Sequence, residues 1–163
     1  TGIDPTGRSW AFLREAQAAA LTLPKTGMAV TYDIGEADNI HPKNKQDVGK
    51  RLARLALAQI HDQDIESIGP RYSKYELAEG GFKVFFEHAD GLHSDNSELI
   101  GFEIAGEDQV FVPATAIIEN DTVFVSNDTI EAPRFLRYNW VNNPTAHFYN
   151  ATNLPAEAFR TDQ

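Results

Sequence analysis

Residues 26–49 read TGMAVTYDIGEADNIHPKNKQDVG. Val30, Thr31 and Tyr32 make residues 28–32 a short β-favouring run after the Thr26-Gly27 turn, and the loop that follows is dense in Asp, Asn, Gly and Pro. The loop ends where Asn44 stands three residues before Asp47, an arrangement that caps a helix. Beyond it, Val48, Leu52, Leu55, Ala56 and Ile60 form one apolar stripe at helical spacing, while Lys50, Arg51 and Arg54 face elsewhere. On the other side, Trp10, Leu13, Ala16 or Gln17, and Ala20 recur at the same spacing after Ser9, a candidate N-cap, until Pro24 and Gly27 intervene. Helix, strand, loop, helix is one step of a layered parallel sheet. A lone strand cannot pair with itself, so residues 1–61 are expected to need strands from outside this chain.

The rest of the sequence differs in kind. Residues 76–78, 82–88, 99–104, 109–112, 114–118, 122–126 and 135–140 are short β-favouring runs, separated by Gly80-Gly81, Asp90-Gly91 and the turns at 106–108 and 119–121. Phe82, Val84 and Phe86 alternate with Lys83 and Glu87, and Val123 and Val125 share one face. Such a series predicts an antiparallel β-sandwich over residues 62–163. Charge shifts at the same place: eight Lys plus Arg stand against six Asp plus Glu in residues 1–61, and six against eighteen in residues 62–163, balances of +2 and −12. A domain boundary is therefore expected between residues 61 and 68.

The net charge of −10 over 163 residues argues against a phosphate-backbone binder, so no nucleic-acid partner is expected. No run approaches the roughly 20 apolar residues of a membrane span, and residues 1–9 carry no secretory leader pattern. Without cysteine there is no disulfide, thiol nucleophile or zinc-thiolate site. Thr rather than Met at position 1 suggests a processed chain or part of a longer one.

Chemistry concentrates in Asp38-Asn39-Ile40-His41. The carboxyl end of a parallel strand, just before a helix, is where open α/β sheets place their active sites. An imidazole with an ordinary pKa near 6.5 can take a hydroxyl proton and return it, and a carboxylate nearby can fix its tautomer. The plainer alternative is that Asp38 caps a turn and His41 packs ahead of Pro42. His88 and His93, with Asp95 and Glu98, resemble a metal cluster less than they resemble turns, and no metal or other cofactor is expected. Among the aromatic residues Trp10, Tyr138, Trp140 and Tyr149, mostly expected in the core, Trp140 is the best candidate for a sugar contact. Asn120, Asn127 and Asn150 each open an Asn-x-Thr sequon, and Lys43, Lys45, Lys50, Arg51 and Arg54 read as a solvated helix face.

The strings SWAFLREAQ (9–17) and TGMAVTYDIGEADNIHPKNKQDVG (26–49) resemble the last catalytic block of the sialate O-acetylesterases, carbohydrate esterases of the SGNH (GDSL-like) hydrolase superfamily. GFEIAGEDQVF, PRFLRYNW and FYNATNLPAEAFRT resemble the C-terminal β region of the same proteins. The resemblance implies a C-terminal α-β-α piece of an SGNH-type three-layer α/β/α hydrolase domain over residues 1–61, followed by a β-sandwich over 62–163. It implies His41 as general base and Asp38 as its carboxylate, with Asp33 a possible substitute. The substrate implied is O-acetylated sialic acid or another acetylated glycan, in an extracytoplasmic compartment.

The blocks that would carry the nucleophilic serine and the oxyanion donors are absent. Ser9, Ser67, Ser73, Ser94, Ser97 and Ser126 do not fit the pattern. The implied partner is thus the serine-bearing N-terminal part of the same protein. That serine, deprotonated by His41, would attack the acetyl carbonyl, and water would later release acetate. The chain alone is expected to be inactive. The rival readings are a non-catalytic carbohydrate-binding module and the second chain of a cleaved two-chain acetyl esterase, for example one acting on acetylated xylan.

Overall fold

The computed structural model describes Asp4 and residues 6–96, 98–145 and 147–162, so Thr1 and Ser97 lie outside the described residues. Two helices, α1 (Ser9–Ala19) and α2 (Lys45–Gln59), precede ten strands: β1 (Arg71–Ala78), β2 (Gly81–Glu87), β3 (His93–Ser94), β4 (Phe102–Ala105), β5 (Val112–Pro113), β6 (Thr115–Glu119), β7 (Thr122–Ser126), β8 (Phe135–Tyr138), β9 (Phe148–Tyr149) and β10 (Phe159–Arg160). All pair antiparallel, in sheets ordered β1-β2-β7-β6 and β10-β8-β4-β5, with β3-β9 a separate pair.

The alternation read from the sequence sets the core. Phe82, Val84 and Phe86 of β2 and Val123 and Val125 of β7 turn inward, in the register Phe82↔Val125 and Val84↔Val123. From the second sheet, Phe102 and Ile104 of β4, Leu136 and Tyr138 of β8 and Phe159 of β10 enter the same core. Phe102 and Phe159 both pair with Tyr138, so three rings form one cross-strand row, with Phe148 edge-on to Tyr138 at 4.9 Å between centroids. Two sheets sharing one core is sandwich packing, and each fully buried aromatic or branched side chain contributes about 1.5–3 kcal/mol. Backbones approach closely at Gly81, where a Cβ would lie 2.2 Å from the Val125 carbonyl oxygen, so the turn that begins β2 requires glycine.

The strands differ from expectation where the backbone turns left-handed. Positive φ at Gly101, Gln109 and Asn139 delays β4 to Phe102, shrinks the run at 109–112 to a β5 that begins at Val112, and ends β8 at Tyr138. Strands β3, β9 and β10 hold two residues each, too few to show a period.

Residues 1–61 depart further. The expected strand at 28–32 joins no sheet among the described residues, and Tyr32–Ile34 forms a 3₁₀ turn. Its Val30 carbonyl accepts from the Arg51 guanidinium at 2.6 Å, a hydrogen bond that a neighbouring strand would otherwise provide. The α-β-α layer of a hydrolase domain is not formed among the described residues. Ser9 is also not the N-cap of α1: Arg8 holds that position, and the first helical N–H groups are taken by Asp4 (2.7 Å from Ser9 N) and by Asn142 (2.9 Å from Trp10 N), the latter from the loop after β8. The cap of α2 matches expectation, with Asp47 N–H donating to Asn44 Oδ1 at 3.1 Å and Asn44 Nδ2 to the Asp47 carboxylate at 2.9 Å.

Both helices attach through polar side chains as well as through the buried Ala11 of α1 and Leu55 of α2. Arg14 of α1 donates to the carbonyls of Asn139 (3.1 Å) and Val141 (2.6 Å), and Arg160 of β10 forks onto Glu15 at 2.9 and 3.0 Å. On α2, Arg51 and Leu55 are the buried residues, whereas Leu52 and Ile60 of the expected core stripe are 51% and 56% exposed. Arg51 therefore does not sit on a solvated face. Arg54 also turns inward, donating to the Glu66 carbonyl at 3.0 and 2.7 Å.

Candidate functional site

The loop between residue 33 and α2 is built from short side-chain bonds to its own backbone. Glu36 and Asn39 form an isolated antiparallel bridge, and the Glu36 carboxylate accepts from Asn39 Nδ2 at 3.2 Å and from Lys43 N–H at 2.8 Å. Asn39 Oδ1 takes the His41 N–H at 2.9 Å. Glu36 and Asn39 thus hold the turn that the sequence reading assigned to Asp38 as its plainer alternative. Reading by motif missed both, although an Asn two residues before His41 is a recognisable Asx-turn signal.

Beneath the loop lies a buried ion pair. Arg51 Nη1 and Nη2 meet the two oxygens of Asp33 at 2.7 and 2.6 Å, and the side chains are only 11% and 3% exposed. Burial works against the guanidinium charge, but the Asp33 hydrogen bonds and charge outweigh it and hold Arg51 above its ordinary pKa. Asp33 is 18 residues from Arg51 in sequence, so no local spacing could reveal the pair. Next to it the Tyr32 hydroxyl donates to the Ala156 carbonyl, tying the loop to the strand region, and burial pushes that phenol well up.

His41 itself is exposed, and so is Asp38. Among the described residues no hydrogen bond joins Asp38 to the His41 ring, and no serine hydroxyl reaches that ring. Asp33, the possible substitute, is committed to Arg51. Ile40, the neighbour of His41, stands 87% exposed. What the chain presents is a single imidazole on a braced loop, open to whatever approaches, with a free carboxylate three residues before it.

The other candidate residues have structural partners. His88 Nδ1 lies 3.0 Å from Glu66, His93 Nε2 lies 3.1 Å from Asn153 Oδ1, and Asp95 lies 3.1 Å from His147 Nδ1. A cleft of about 500 Å³ between α2 and the β3–β9 pair is lined by Lys50, Arg51, Arg54, His93, Asp95 and Tyr149, without His41. Burial raises the Tyr149 pKa, and the Asp33 and Asp95 charges add to this. Trp140 is only 2% exposed, covered by Phe12 edge-on at 5.7 Å and by the Arg160 guanidinium at 5.1 Å, so it offers no open face to a sugar. Asn150 of the third sequon is buried and donates to the carbonyls of Ile68 and His88, a structural role.

No protein-family profile matches the chain, and no curated protein matches it. A solved structure does: a carbohydrate acetylesterase from Xanthomonas citri is 41% identical, superposes with a TM-score of 0.90, and is matched over 94% of this chain and 36% of its own. The chain therefore spans little more than a third of that protein. In sequence and in fold, over nearly its whole length, it is similar to part of a carbohydrate acetylesterase.

Proposed function

We propose that the chain is the C-terminal portion of a carbohydrate O-acetylesterase of SGNH type. Residues 1–61 complete the sheet of a hydrolase domain, and residues 62–163 form a β-sandwich beside it. His41 is the general base, Asp38 the carboxylate available to orient it, and the nucleophilic serine comes from an upstream segment of the longer protein. The observation that carries this reading is the exposure of His41 on a loop already braced by Glu36, Asn39 and the Asp33–Arg51 pair, in a chain 41% identical to a carbohydrate acetylesterase. A base meant for a serine on another segment must be positioned and still unburied, and the exposed His41 has its backbone N–H held by Asn39, which supports the reading. The exposed apolar residues of the first part, Trp10, Leu13, Leu52 and Ile60 among them, supply a surface for that segment to cover.

His41 removes the serine proton as the hydroxyl adds to the acetyl carbonyl, then returns it to the departing sugar oxygen; in the second half it activates water to release acetate. The substrate class is an O-acetylated sugar, with sialic acid the first to test and acetylated xylan the second. The working compartment is extracytoplasmic; no helix among the described residues is long and apolar enough to cross a membrane.

The test compares hydrolysis of an aryl acetate and of O-acetylated sialic acid by this chain and by the longer protein. The chain alone should be inactive, and in the longer protein His41→Ala should lower kcat about 10²- to 10⁴-fold. Turnover by the isolated chain that His41→Ala abolishes would refute the need for an upstream serine. Unchanged kcat for His41→Ala in the longer protein would remove His41 from the mechanism.

A further inference from the structure

A groove of about 660 Å³ runs along the seam where the edge strands β1 and β10 of the two sheets meet α1. Its walls carry Tyr72 and Tyr75 from β1, Phe159 and Arg160 from β10, and Glu15 from α1, with Trp140 also among the lining residues. His41 and Asp38 are not part of it.

Two features make this groove chemically distinct from a chance hollow. Tyr72 lies flat on Phe159, with centroids 4.5 Å apart and planes 16° from parallel, so a half-exposed aromatic plate is fixed in place by a core ring behind it. Charged groups in the walls come as opposite pairs, Arg71 with Glu157 at 3.0 Å and Arg160 with Glu15 at 2.9 and 3.0 Å. Paired carboxylate and guanidinium groups still present acceptor lone pairs and N–H donors, and their charges cancel.

We propose that this groove binds a neutral oligosaccharide, as a carbohydrate-binding site separate from the His41 loop. A pyranose has one apolar C–H face and a rim of hydroxyls that each donate and accept. The negative face of the Tyr72 ring suits the C–H face, and the mixed donor and acceptor pairs at Glu15–Arg160 and Arg71–Glu157 suit the rim. Cancelled charge favours a neutral sugar over an anionic one. The site would hold the polymer backbone while acetyl groups are removed elsewhere, but binding itself needs no hydrolysis and does not rest on the esterase reading.

The experiment titrates the 163-residue chain with xylohexaose, cellohexaose and sialyllactose, by calorimetry and by amide hydrogen exchange. At least one neutral hexasaccharide should bind, with protection gained in residues 71–75 and 157–161. Tyr72→Ala should weaken binding at least tenfold and Tyr72→Phe less than threefold, since the plate rather than the hydroxyl makes the contact. Should Tyr72→Ala not fold, Tyr75→Ala and the exchange map of the unmodified chain carry the test. No binding of either hexasaccharide at millimolar concentration, binding of sialyllactose alone, or protection confined to other residues would overturn the proposal. Such a failure leaves the esterase reading standing, because that reading is decided by turnover in the longer protein.

Discussion

The two parts of the molecule differ in how much of their apolar surface they bury. In the β-sandwich the apolar residues go inside: Phe82, Val84, Phe102, Ile104, Val123, Val125, Leu136 and Tyr138 are buried, with one covered ion pair, Arg137 with Asp162, beside them. In the helical part only Ala11 and Leu55 are buried apolar residues among those described, beside Arg51 bound to Asp33, while Trp10, Leu13, Leu52 and Ile60 face out. On the proposed reading, the face left open by this region is the one that an upstream segment of the longer protein would cover. In the sandwich each strand finds its neighbour within the same region.

The contrast can be broken or sharpened by measurement. The largest effect on stability is expected in the sandwich, where Phe102→Ala removes one ring of the cross-strand row and should cost about 3–5 kcal/mol in urea unfolding. A loss below about 1 kcal/mol would mean the core is not the source of stability. Next, Arg51→Ala strands the buried Asp33 carboxylate and should cost about 3 kcal/mol of local protection, read as faster amide exchange in residues 28–60 with β2 and β7 unaffected. Equal acceleration in β2 and β7 would show that both parts unfold as one unit. The double change Asp33→Leu with Arg51→Met should recover most of the loss, since it removes the pair without leaving a charge behind.

A smaller effect is expected at the junction. Burial opposes ionisation of Glu66, but the Ile68 N–H and His88 outweigh it and hold its pKa below the ordinary carboxylate value. A carboxyl group with a depressed folded pKa stabilises above its unfolded pKa, and that contribution disappears as pH falls through the folded value. The urea midpoint should therefore fall from pH 7 into the acid range by less in Glu66→Gln than in the wild type. An identical fall would show that Glu66 contributes no linkage. Smallest of all, Leu52→Ser should change the stability of this chain by less than about 0.5 kcal/mol, because the side chain is already half exposed. In the longer protein the same substitution should destabilise far more; if it does not, nothing covers that face.

Legibility followed the range of the interaction. The α2 cap at Asn44 and Asp47, the inward alternation of β2 and β7 and the Gly80-Gly81 turn are local patterns, and each was readable from adjacent residues. Helix periodicity showed where α1 and α2 lie, but of the stripe expected on α2 only Leu55 is buried and on α1 Ala11 is buried instead, because periodicity reports which residues share a face and not what the face meets. The loop with His41 could be located from its composition and position. Its bracing by Glu36 and Asn39, and the binding of Asp33 to Arg51, could not, since those depend on where the chain returns.

By itself, then, the sequence determined the two helices, most strands of the sandwich and the position of an imidazole in a polar loop, all of which depend on residues within a few positions of one another. Only the tertiary structure decided that the run at 28–32 stays unpaired, that Arg51 neutralises Asp33, that Trp140 is covered, and that two sheet edges and α1 enclose a groove. Those outcomes depend on which distant groups meet, and a buried charge or an open backbone carbonyl takes the partner that packing brings within reach.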